Sequence, residues 1–164
     1  MEIPHRTPIE PEDVLFNFEE AVKHKVDGLS QYAEALHDDF HLVLDIIDVQ
    51  ELGIEGVDSL SKQRDQDVQR IWSEELPDSF YFAFGDQQPS TETDTTAFYL
   101  DIPYELQFIV QQNDSVRATL AGKAELTMLK DPQTTLWSLR RWVDKREEPN
   151  TSFGRWHGER APQP

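Results

Sequence analysis

Phe98-Tyr-Leu-Asp-Ile-Pro-Tyr-Glu-Leu-Gln-Phe-Ile-Val110 is the stretch whose reading decides the fold. Every even position (Phe98, Leu100, Ile102, Tyr104, Leu106, Phe108 and Val110) is apolar or aromatic, while Asp101, Glu105 and Gln107 fall between them. A period of two sustained this long predicts a long strand with one face buried. Pro103 has no N–H to contribute to a ladder, so a bulge or a sheet edge is expected there.

Strand signals continue on both sides. Phe80, Phe82 and Phe84 alternate with Tyr81 and Ala83, and the polar segment from Gly85 to Thr96 is expected to be a mobile loop. Downstream, Asn113-Asp114 marks a turn, and Val116, Ala118, Leu120, Ala124, Leu126 and Met128 form a second long apolar face with Gly122 as a bend. Asp131-Pro132 turns the chain again. In the last strand Trp137, Leu139 and Val143 point inward, and strict alternation sends Arg141 inward with them.

The first half reads differently. Pro11 suits the first position of a helix entered through Thr7 or Glu10, and Glu12 and Asp13 favour the positive end of its dipole. Val14, Leu15, Phe18, Ala21 and Val22 share one face at helical spacing, and Asp27-Gly28 ends the run. A shorter helix takes Leu29, Tyr32, Ala33 and Leu36 as its stripe. A strand rich in branched residues follows from Phe40 to Val49, then a loop from Gln50 to Lys62. A third helix from Gln63 to Leu76 turns Val68, Ile71, Trp72 and Leu76 inward and stops before Pro77.

Composition narrows the function. The 164 residues carry 15 basic and 32 acidic side chains, a formal charge of −17. Long-range repulsion then opposes nucleic acid and anionic membranes as partners. Such acidity fits either hydration in high salt or an ordinary solvated exterior. The absence of cysteine excludes disulfides and thiolate chemistry. No run approaches the roughly 18 apolar residues of a membrane span, so a soluble, cytoplasmic protein is expected, with a removed leader as the alternative. Residues 1–10 read as an arm, 11–146 as one α+β domain and 147–164 as a tail.

Three segments resemble the nuclear-transport-factor-2-like superfamily: Val26-Asp-Gly-Leu-Ser-Gln-Tyr-Ala-Glu-Ala-Leu36, His37-Asp-Asp-Phe40 and Trp137-Ser-Leu-Arg-Arg-Trp-Val-Asp144. The resemblance implies amphipathic helices packed in the concave face of a strongly curved antiparallel sheet, a cone-like roll. It also implies a pocket at the wide end and a homodimer through the outer sheet face. Its isomerase-like members use an aspartate late in the first strand as base and a tyrosine on the first helix as donor. Counting from Phe40 in steps of two puts Leu44, not Asp45, at the base position, and the helix position falls near Glu19. Only a bulge would turn Asp45 inward.

Other chemistry is weakly signalled. Asp45, Asp48 and Glu51 lack the order of a calcium loop. His37 and His41 flank a helix-to-strand transition and have no third ligand partner, so no metal or cofactor is expected. No nucleophile elbow or phosphate loop is present. Arg141, if inward, either anchors an acidic ligand group between Trp72, Tyr104 and Trp137 or serves in a structural ion pair, since a lone buried charge is costly. Two functional readings follow. The preferred one is a non-catalytic binding or interaction domain, with a small hydrophobic or acidic ligand held in the cone. The alternative is a general acid–base enzyme of isomerase, dehydratase or cyclase type on a small hydrophobic substrate, using Asp45, His41 and Tyr104.

Overall fold

The computed structural model describes residues 2–43, 59–75, 80–110 and 115–145. Helix α1 (Pro11–Lys23) starts as its sequence directs, with Pro11 at the first position and the Asp13 carboxylate accepting the Glu10 N–H at 2.9 Å. It buries Val14, Phe18, Ala21 and Val22, and Leu15 packs against the same core. A 3-10 turn (Lys25–Gly28) follows, with Lys25 at φ 52°. A Cβ on Gly28 would lie 1.9 Å from the Ala21 carbonyl oxygen, so only glycine lets this turn fold back on α1. Helix α2 (Leu29–Ala35) therefore lies alongside α1.

Strand β1 (Leu36–Val43) begins at once, earlier than the expected Phe40, with Leu36 and Phe40 buried and Leu42 packed on the core. Two further elements, β2 (Ser59–Ser61) and α3 (Lys62–Glu75), precede β3 (Phe80–Phe84) and β4 (Thr91–Glu92). Three long strands complete the order: β5 (Thr96–Val110), β6 (Ser115–Lys130) and β7 (Trp137–Lys145). The β4 pairing with β5 lies inside the segment expected to be a mobile loop.

The seven strands form one curled half-barrel in the order β2-β1-β7-β6-β5-β3, with β4 on the side of β5. The sheet is mixed rather than wholly antiparallel, because β1 pairs with β7 in parallel. Apolar alternation has the same period in either direction, so it carries no information about strand polarity.

Register shifts interrupt the ladders at four places among the described residues, and two of them decide which side chains face inward. In β5, Tyr99 pairs with Leu126 but Ile102 pairs with Ala124, leaving one extra residue on β5. Before it Ala97 and Tyr99 are buried; after it Ile102 and Tyr104 are, while Leu100 is exposed. The expected even-numbered face thus holds at Ile102 and Tyr104, beyond the bulge, which sits just ahead of Pro103. In β7, Thr127 and Met128 of β6 pair with Arg141 and Leu139, so Arg140 is the extra residue. Trp137 and Leu139 point inward, then Trp142 does, and Arg141 is exposed. Each bulge adds twist and lets the strands wrap around the helices.

The buried side chains of helices and sheet form one core cluster. Phe18 is its aromatic hub, with ring centroids at 5.0 Å from Tyr32, 5.5 Å from Trp142 and 5.7 Å from Phe84. In β6, Ala124, Leu126 and Met128 of the expected face are all fully buried. The arm is tied down: Asn17 bonds both the N–H and the C=O of Arg6 at 2.7 Å, and the Trp137 N–H donates to the Pro8 carbonyl. Among the described residues no helix is long and apolar enough to cross a membrane.

Candidate functional site

The residues nominated from sequence do not assemble into one wall. Tyr104 is buried on β5, with its ring edge against Trp142 at 5.4 Å and its hydroxyl donating to Asp144 Oδ1 at 2.5 Å. The hydroxyl crosses directly over Gly122, where a Cβ would meet it at 3.0 Å. Trp137 is also buried, but it pairs with Lys130 whereas Tyr104 pairs with Gly122. Eight residues of β6 separate those levels, about 26 Å of strand.

Arg141 overturns its expectation. The extra residue Arg140 reverses the alternation, so the guanidinium lies on the exposed face and is no interior anchor. His41 pairs with Arg141 across the parallel ladder and is exposed too, with its Nδ1 2.9 Å from the Asp39 carbonyl. Leu44 and Asp45 lie outside the described residues, as does the side chain of Trp72, whose backbone belongs to α3. Among the described residues no group of three His, Asp or Glu could hold a metal ion.

The interior polar group comes from elsewhere. Along α3 the buried residues are Asp65, Gln69 and Ser73, four apart and therefore on one face, whereas Ile71 is 47% exposed. Ile71 of the expected inward face is thus turned outward, and a polar stripe meets the core. Asp65 Oδ2 accepts the Tyr32 hydroxyl at 2.5 Å, joining α3 to α2, and both residues are only 5% exposed. Phe18 walls the tyrosine on one side. Among the described residues no cation pairs with Asp65, and no second donor reaches its carboxylate. The Ser73 hydroxyl is buried and has no hydrogen-bond partner among the described residues.

Burial sets the protonation behaviour of the pair. Loss of water pushes the Asp65 carboxyl up to about 6, against a smaller downward pull from the Tyr32 hydrogen bond. Burial first, then the charge of Asp65 and the hydrogen bond to it, holds the Tyr32 phenol well above its usual range. The arrangement can therefore take up or release a proton near neutral pH at Asp65, with a phenol that stays a donor. Sequence offered one signal, the spacing of Asp65, Gln69 and Ser73. A solvated helix face shows the same spacing, so the signal does not discriminate.

No protein-family model matches the chain, and no curated protein matches its sequence. Solved structures do match its fold. An NTF-2 like protein of unknown function from Pseudomonas aeruginosa superposes with TM-score 0.55 at 12% identity, over 82% of this chain and 93% of that one. The hexachlorocyclohexane dehydrochlorinase type 3 from Novosphingobium barchaimii gives TM-score 0.60 at 8% identity, over 84% of each chain. A candidate scytalone dehydratase from Novosphingobium aromaticivorans gives TM-score 0.60 at 9% identity, over 84% of this chain and 82% of that one.

Proposed function

From the nuclear-transport-factor-2-like fold that this chain has, we propose that the cone holds a small hydrophobic molecule and that Tyr32 and Asp65 move a proton on it. The observation that carries this reading is a buried carboxylate, raised to about 6, whose sole hydrogen-bond donor among the described residues is a neutral phenol. A carboxylate kept for structure alone is more economically matched by a cation or by several N–H donors, which would hold its pKa down. Here the balance runs the other way, as it does at acid–base sites.

In this reading Asp65 takes a proton from a carbon next to an electron-withdrawing group. The electron pair left behind either returns to a different carbon with the same proton or expels a leaving group. Tyr32 turns its O–H from Asp65 to the developing negative charge. Two of the similar structures bear names that denote elimination, which supports that outcome for the class. The reading replaces the alternative set of Asp45, His41 and Tyr104 with a different pair.

The test is proton exchange. Small cyclic ketones and β-hydroxyketones incubated with the protein in D2O are followed by NMR. Exchange at the activated carbon is expected to fall at least about 100-fold in Asp65→Asn, within the usual range for a general base. Binding of the same compounds without exchange in the parent would leave a non-catalytic binding domain, and exchange unaltered in that variant would remove Asp65 as the base. The homodimer through the outer sheet face belongs to the same proposal, supported by the exposed Tyr81 and Leu100; native mass spectrometry measures it.

A further inference from the structure

The inward stripe of α3 holds more polar groups than the Tyr32–Asp65 pair uses. Helix α3 packs on α2, β1 and β2, and Asp65, Gln69 and Ser73 are its buried polar side, while Arg64, Arg70 and Ile71 stand in solvent. Asp65 is met by the Tyr32 hydroxyl. Ser73 is 2% exposed, deeper than Asp65, and among the described residues nothing bonds its hydroxyl. In a helix a serine hydroxyl can close on the carbonyl four residues back, here that of Gln69, and this one does not.

Such a residue works against the fold. A buried hydroxyl left unbonded carries its whole desolvation penalty, and alanine in its place would remove that penalty and favour the helix. Serine at this position therefore fits a partner that arrives from outside the chain. Its distance from the reacting pair follows from helix geometry: a rise of about 1.5 Å per residue places Ser73 roughly 12 Å beyond Asp65, with Gln69 halfway.

The charge of that partner is constrained as well. Lys62 and Arg70 of α3 are engaged by Asp38 and Asp67, and Arg64 is exposed, so no cation of this helix turns toward the stripe. A carboxylate or phosphate beside Ser73 would be buried without compensation. A neutral carbonyl or hydroxyl would be matched, since a serine hydroxyl both donates and accepts.

We propose that Ser73 determines which substrate the Tyr32–Asp65 pair acts on, by hydrogen bonding a neutral oxygen at the far end of an elongated ketone whose reacting carbon lies at Asp65. This rests on the proton-transfer reading of that pair. It narrows the substrate class from small hydrophobic molecules to those with a second polar group roughly 12 Å along the helix.

Two probes differ only at that oxygen: cyclohexanone carrying a phenyl group opposite its carbonyl, and the same compound with a para hydroxyl on the phenyl. Calorimetric titration of each into the full chain gives its affinity, and proton exchange in D2O gives its turnover independently. The parent is expected to bind the hydroxylated probe at least fivefold more tightly, and Ser73→Ala should bring that preference below twofold. The same variant should unfold at an equal or higher denaturant concentration, with a circular dichroism spectrum like that of the parent. A preference that survives Ser73→Ala overturns the proposal, as does a parent that binds both probes alike or neither. A lower unfolding midpoint in Ser73→Ala overturns it too, because the hydroxyl would then be bonded within the fold. Preference without proton exchange supports the Ser73 contact and removes proton transfer by Asp65; exchange with equal affinity for both probes does the reverse.

Discussion

Among the described residues two tyrosine–aspartate hydrogen bonds have the same length, 2.5 Å, in contrasting places. Tyr104 reaches Asp144 across the strands, where solvent still touches the carboxylate. Tyr32 reaches Asp65 between two helices, where nearly all water is gone. The bond is alike in both, so what separates them is the surroundings. The first is a strut between β5 and β7. The second is a carboxylate moved into the range where it exchanges its proton at neutral pH.

Letting water into the second site should undo the contrast, and with the largest effect. Phe18→Ala removes the ring that walls Tyr32 and is expected to cost about 3–5 kcal/mol of stability, as for other buried phenylalanines. Chemical denaturation measures the loss, and NMR titration of Asp65 should show its pKa falling toward the ordinary aspartate value.

A second prediction concerns pH alone. The folded-state pKa of Asp65, about 6, lies above the roughly 3.9 of an unfolded aspartate. The folded protein therefore binds this proton more tightly, and the stabilisation is complete below about pH 4 and lost as pH rises through 6. The displacement corresponds to about 3 kcal/mol. Denaturant midpoints of the parent should accordingly fall relative to Asp65→Asn between pH 4 and 7. Parallel curves for the two proteins would show that Asp65 titrates as an ordinary surface acid.

The smallest effects come from removing each hydroxyl. Tyr32→Phe leaves the buried Asp65 without its donor and should cost about 1–3 kcal/mol at pH 7.5, where Asp65 is charged, and less at pH 5. Tyr104→Phe leaves Asp144 within reach of water and should cost about 0.5–1.5 kcal/mol. Equal costs for the two variants would collapse the distinction between strut and proton-exchanging pair.

Much of the scaffold was legible because it depends on neighbours in sequence. The α1 face, the start at Pro11, the turn at Asp131 and the buried run Ala124, Leu126, Met128 all follow from local spacing and residue type. At Asp131 the side chain accepts the N–H groups of Gln133 and Thr134, which also hold its carboxyl below the usual range. Tyr104 was correctly placed in the interior. Arg141 was not, because one bulged residue reverses every side chain after it, and nothing in Trp137–Lys145 marks where the neighbouring strand demands that residue. The same holds for Phe98 and Leu100 ahead of the β5 bulge.

The sequence by itself determined an acidic α+β chain with amphipathic helices before a long alternating sheet, since those features are written in period and composition. Only the tertiary structure decided the parallel pairing of β1 with β7, the bulges at Tyr99–Ile102 and at Arg140, and the orientation of α3 that turns Asp65 rather than Ile71 toward the core. The reason is common to all three. Register, strand direction and the rotation of a mostly polar helix are set by contacts between segments far apart in the chain. An aspartate four residues from a glutamine looks the same in water as it does beside Tyr32.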